Sequence, residues 1–139
     1  PGVRYHLRPG AYAILLKGRQ MLVTYQSAPF DEFQLPGGGI DPGENALQAL
    51  HREVREETGW GISQPQRLGA FRRFVYMPEY DQWSEKICHI FVARPVLQYG
   101  PPIEPDHTAI WLDRDAAGQM LDNQGDRHFL DHYCASLGP

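Results

Sequence analysis

The stretch GGGIDPGENALQALHREVREETGW, Gly37 to Trp60, decides how this chain is read. Three glycines and an Asp41-Pro42-Gly43 turn lead into a segment with helical periodicity from Asn45 to about Thr58, and Gly59 follows where a left-handed C-cap belongs. At 100° per residue, Ala46, Leu47, Leu50 and Val54 form one stripe, expected to pack on a sheet, and Glu57 falls on it. Glu53 lies at the edge of the stripe one turn earlier, and Glu56 lies further round, beside Arg52. Like charges at i,i+4 disfavour a helix by about 0.2–0.5 kcal/mol, and desolvation adds to the repulsion. Arg52 can pair with Glu56, but one guanidinium does not neutralise three carboxylates. A divalent cation does, and clustered carboxylate oxygens with room for water and phosphate suit Mg²⁺. The competing reading of REVREE is a solvated, salt-bridged helix face.

Outward from this stretch, the sequence predicts one domain. The chain has 139 residues, 42% of them hydrophobic, enough for an ordinary core. Its formal charge of -4 gives no global attraction for nucleic acid or anionic membranes, so an anionic substrate must be met locally. Cys88 and Cys134 are too few and too far apart for a disulfide framework; both are expected as buried thiols in a reducing cytoplasm. No apolar run approaches the roughly 20 residues needed to span a bilayer, and no signal-peptide pattern is present.

Ala11 to Leu16 and Met21 to Tyr25 read as a hairpin, and Phe33 to Leu35 as a short third strand. Leu68 to Met77 and Lys86 to Val96 read as two long antiparallel strands joined by a polar, aromatic loop from Pro78 to Glu85. A short strand at Ala109 to Leu112 precedes two helices, Asp113 to Leu121 and about Arg127 to Leu137. The expected class is α/β, a layered sandwich on a central mixed sheet.

The spacing Gly38, Glu44, Arg52-Glu53-Val54, Glu56-Glu57, Gly59-Trp60 resembles the Nudix box at all nine specified positions. Leu35-Pro36-Gly37-Gly38 before it and Trp111 with Ala116-Ala117 after it extend the resemblance over most of the chain. The resemblance implies a Nudix-like α/β/α sandwich that hydrolyses a nucleoside diphosphate linked to another moiety, with Mg²⁺ or substituting Mn²⁺. It places Glu53, Glu56 and Glu57 in the metal cluster, with a carbonyl of Gly37 or Gly38 completing it. Glu53 is expected to bind metal or to take a proton from the attacking water. Arg52 would orient Glu56, and Glu44 would hold the loop to the helix. Relatives often carry a further glutamate shortly before the tryptophan, where this chain has Thr108; Glu104 or Asp106 is a candidate replacement, and His107 a candidate neighbour of the site.

The implied partner is a nucleotide-type small molecule: a dinucleoside polyphosphate, a nucleotide sugar such as ADP-ribose, or a nucleoside triphosphate. A capped RNA end stays open, a membrane partner is not expected, and a homodimer is possible. Arg72, Tyr76 and Trp83 are candidate substrate contacts, since arginine forks onto phosphate and aromatics stack on bases. In a strand Arg72 and Arg73 point to opposite faces, so one of them is expected to be a solvated charge. Tyr76 stands sixteen residues after Trp60, near the place of a tyrosine that marks diadenosine-polyphosphate hydrolases, whereas Pro78 lies two residues past it. His128 and His132, at i,i+4, are expected to be solvated or capping, and His89 a hydrogen-bonded core histidine. The alternative to an enzyme is a noncatalytic nucleotide sensor of the same fold.

Overall fold

A computed structural model describes residues 4–27, 31–103 and 106–137. Its strands are β1 (Tyr5–Lys17), β2 (Gln20–Gln26), β3 (Glu32–Gln34), β4 (Gly37–Gly39), β5 (Trp60–Met77), β6 (Gln82–Gln98) and β7 (His107–Asp113); its helices are α1 (Ala46–Thr58), α2 (Arg114–Met120) and α3 (Gln124–Ser136). β1 organises them. Over Tyr5 to Leu15 it runs parallel to β6, at Gly10 to Tyr12 it pairs antiparallel with β4, and at its end it turns through Gly18 into β2. β2 continues the sheet to β3 on one side and β7 on the other, both antiparallel. The sheet is therefore mixed, as expected.

Period-2 alternation along β1 divides the core. Ala11, Ala13 and Leu15 face α1, where Ala49, Leu50 and Val54 meet Phe91 and Ala93 of β6. Ile14, with Tyr12 and Leu16 beside it, faces the opposite layer, where Ala117, Leu121 and Leu130 of the α2–α3 region pack on Met21, Val23 and Ile90. Helices on both faces of one sheet complete the α/β/α arrangement.

Three expectations change in detail. Leu47 is 44% exposed, and burial in α1 begins at Ala49: the helical wheel gives direction but not how far the sheet extends beneath the first turn. The glycines are not simply a loop, because Gly37–Gly39 forms β4 along β1. The span Pro78 to Glu85 is also tighter than expected: one 3-10 turn at Pro78–Tyr80 and Asp81 at φ 49° suffice before β6 begins at Gln82.

Candidate active site

α1 is locally well specified. Asn45 accepts from Gln48 N, the Gln48 side chain accepts from Asn45 N, and Gly59 closes the helix at φ 80° with its N–H on Arg55 O. The capped helix carries its acids alongside β4.

Arg52 is the hub. Its Nε and Nη2 fork onto the two oxygens of Glu44 at 2.8 Å each, Nη1 donates to Glu53 Oε1 at 2.7 Å and Glu56 Oε2 at 3.2 Å, and Nη2 also reaches Gly39 O at 2.9 Å. Asp41 Oδ2 lies 3.3 Å from Nη2. Glu44 additionally accepts from Asp41 N at 2.8 Å, which ties the Asp41-Pro42-Gly43 turn to the helix. The Arg52 hydrogen bonds and the Asp41 N–H hold the Glu44 carboxyl down at about 2. Arg52 thus does more than orient Glu56, since it collects every acid of this surface except Glu57.

Glu57 sits apart and is 4% exposed. Its Oε1 accepts from Gly37 N at 3.0 Å, and its Oε2 lies 3.1 Å from Nε2 of His107 on β7. The register shows which glycine carbonyl faces α1. Ala13 N donates to Pro36 O and Ile40 N to Pro9 O, so within the antiparallel ladder residues 36, 38 and 40 turn their polar groups to β1, and residues 37 and 39 turn theirs away. Gly37 N on Glu57 and Gly39 O on Arg52 agree with that alternation. This corrects the expectation for Gly38: its carbonyl is directed at β1, and Gly37 offers the carbonyl on the α1 side. Gly38 matters sterically instead, because a Cβ built there would land on the Glu53 carboxylate.

These donors fit a hard divalent cation in kind: three carboxylates and a backbone carbonyl, all oxygen, with Glu53 lying in the space that Gly38 leaves open. Among the described residues no three His, Cys, Asp or Glu side chains form a ready-made metal cluster. Glu53 and Glu56 are turned to Arg52, so gathering them on a cation requires them to exchange partners.

The remaining candidates separate. Glu104 lies outside the described residues. Asp106 is exposed and engages Ser27 through its backbone carbonyl, and Thr108 is exposed on β7. His107, a minor candidate in the sequence, is the residue that meets Glu57. Arg72, Tyr76 and Trp83 line a cleft of about 980 Å³ beneath the β5–β6 arm, together with Arg73, Lys86 and Phe129. Both arginines are paired, Arg72 with Glu85 at 2.9 Å and Arg73 with Glu32 at 2.7 Å. The Arg73 pair is the more buried, and Arg72 is the solvated one. The Tyr76 hydroxyl donates to Asp81, and its ring meets Trp83 edge-on at 5.4 Å. The carboxylates of α1 are not part of the cleft lining.

His128 and His132 stack at 6.1 Å, and His128 also borders the cleft. His89 is half-buried, with Nδ1 3.3 Å from Arg67 Nη2. Cys88 is a buried free thiol, pushed up to about 11 by burial, whereas Cys134 is only half-buried. Sequence reasoning missed Asp126 of α3. It is 3% exposed, accepts from Leu35 N at 3.3 Å, and is raised by burial to about 7.

The layering, the capped acidic helix and the glycine strand beside it define an α/β/α sandwich with an acidic helix against a glycine strand, and the comparisons agree on that fold. A family model for the NUDIX domain matches residues 6–133, and the chain belongs to that family. A NUDIX hydrolase from Nitrosomonas europaea superposes with a TM-score of 0.75 at 19% identity, covering 94% of this chain and 90% of the other. The RNA pyrophosphohydrolase of Legionella pneumophila (strain Corby) is 44% identical over 71 residues, 51% of this chain and 39% of that protein. The 8-oxo-(d)GTP phosphatase of Mycolicibacterium smegmatis is 31% identical over 104 residues, 75% of this chain and 30% of that protein. The matches span less than half the length of these curated relatives.

Proposed function

We propose that this domain hydrolyses a phosphoanhydride bond in a nucleoside diphosphate-linked substrate, using Mg²⁺ with Mn²⁺ as a substitute. The observation that carries the reading is Glu57: a carboxylate buried on α1 and fixed at both oxygens, next to Glu53, Glu56 and the inward-facing Gly37 backbone. Placing acids so close is costly for a helix that only needs to pack.

Glu53, Glu56, Glu57 and the Gly37 carbonyl would hold the cation. When bound, it supplies charge neutralisation at the phosphate oxygens and lowers the pKa of water. Arg52 keeps Glu53 and Glu56 beside one another against their repulsion. Glu53 either joins the cation's ligands or accepts a proton from the attacking water. Glu44 anchors Arg52 and the Asp41 turn. No covalent nucleophile is needed, because positioning and electrostatics carry phosphoryl transfer.

The cleft under the β5–β6 arm takes the non-phosphate end of the substrate, its base or equivalent. Phe71 and Phe129, stacked at 6.2 Å, give it an aromatic wall. The two relatives act, by name, on a nucleoside triphosphate and on RNA, which favours triphosphate substrates over ADP-ribose and dinucleoside polyphosphates. A product screen over these classes, with Mg²⁺ and with chelator, tests the reading: metal-dependent turnover of one class supports it. Tight nucleotide binding without turnover would instead identify a sensor.

A further inference from the structure

Among the described residues of the cleft, Lys86 is a cation with no carboxylate at ion-pair distance. In the β5–β6 ladder Arg73 stands directly opposite Lys86. By strand alternation Lys86 shares its face with Cys88 and Ile90, on the α3 side of the sheet. Like charges directly opposite on one face repel. Glu32 relieves Arg73 at 2.7 Å, but among the described residues no carboxylate lies within ion-pair distance of Lys86. Burial, and next the Arg73 charge, push the Lys86 ammonium down. Asp126 nearby does not supply the missing anion, because burial keeps its carboxyl partly neutral near pH 7. Glu32 and Glu79 offset the desolvation of Lys86 only from beyond ion-pair distance, and a ligand acceptor would offset more of it.

The charge around the cleft decides which kind of acceptor. Its lining carries Asp31, Glu32, Glu79 and Asp122 against Arg72, Arg73 and Lys86. That excess of carboxylates disfavours a phosphate here. A neutral carbonyl on an aromatic ring escapes the repulsion and still accepts from the ammonium, as ring keto oxygens do from lysine in base recognition. Phe71 and Phe129, on the same side of the sheet as Lys86 and lining the cleft, supply faces for such a ring.

We propose that Lys86 is the specificity-determining residue of the cleft, donating to a ring keto oxygen, so that 6-oxopurine nucleotides are preferred over adenine nucleotides. Adenine presents an amino donor where guanine and hypoxanthine present an acceptor, and would set donor against donor. The inference rests on the cleft holding the substrate's base.

The test compares kcat/KM for GTP, ITP and ATP in the wild type, Lys86→Met and Lys86→Arg. Inosine and adenosine binding, followed by NMR, is measured in parallel. The expected result is a preference of about tenfold or more for GTP and ITP over ATP. Lys86→Met should reduce it to within about threefold, lowering kcat/KM for the keto substrates and raising it for ATP as the donor–donor clash is relieved, and Lys86→Arg should keep most of the preference. No wild-type preference, an unchanged preference in Lys86→Met, or an equal loss for ATP and GTP would overturn the assignment. Selective inosine binding that needs Lys86, without hydrolysis of any nucleotide, would uphold Lys86 and overturn the proposed hydrolysis instead.

Discussion

Arg52 is where the acidic surface is balanced, and removing it should show in stability before it shows in chemistry. Arg52→Met leaves Glu44, Glu53 and Glu56 without their shared cation. With the guanidinium only part-buried, a loss of about 1–3 kcal/mol is expected in chelator-containing denaturation, and Mg²⁺ should restore part of it by binding the native state. Equal losses with and without Mg²⁺ would argue that the freed acids do not gather a cation. Gly38→Ala sets a different test. The atoms nearest the added Cβ are the carboxylate end of Glu53, so the melting temperature should hold within a few degrees while kcat falls about tenfold or more as the carboxylate is displaced. The three acids and their arginine were legible in the sequence because helical geometry converts spacing directly into neighbourhood. His107 on Glu57 was not, because a contact between β7 and α1 depends on how the sheet is closed. Lys86 had a visible signal, a lysine heading an apolar strand, but that no carboxylate among the described residues pairs with it is a property of the packed face.

Among the elements, α1 was readable almost to the residue. Asn45, Gln48 and Gly59 are capping chemistry written locally. Asn45→Ala should cost about 1 kcal/mol in chemical denaturation; an unchanged midpoint would mean that tertiary packing alone holds the first turn. β4 was not readable, since three consecutive glycines have little strand propensity and pair here only because β1 and α1 approach so closely. At Gly37, φ is 146° and a Cβ would strike the β1 backbone at Ala11. The long β5–β6 hairpin was half legible: its apolar centres show alternation, while its ends extend to Trp60 and Gln98 through register shifts near Gly61, Ser63 and Arg67. Such irregularities leave no periodic trace.

For the molecule as a whole, α3 closes over the sheet with Asp126 buried beneath it, and this makes stability depend on pH. The folded value of about 7 exceeds the ordinary 3.8 because burial opposes the charge. The unfolded carboxyl therefore ionises first: the full contribution is present below about pH 4, is lost as pH rises, and the penalty saturates above about pH 7 at roughly 2–4 kcal/mol. Asp126→Asn should flatten that part of the stability profile between about pH 4 and about pH 7, the window of the shift; a profile identical to the wild type would mean that the carboxyl ionises freely in the folded state. The fold class followed from the order of strands and helices, but the cleft did not, because its walls come from β3, β5, β6 and α3 and meet only in three dimensions. Under the proposed function, Glu57 is held ready for a divalent cation that serves hydrolysis. The most direct measurement is the pairing of Mn²⁺ affinity, by calorimetry, with Mg²⁺-dependent kcat in the wild type and Glu57→Gln. Glu57→Gln is expected to weaken Mn²⁺ binding by about tenfold or more and to lower kcat by about 10²–10³-fold, with the fold intact. Wild-type affinity and turnover within about threefold in Glu57→Gln would contradict it.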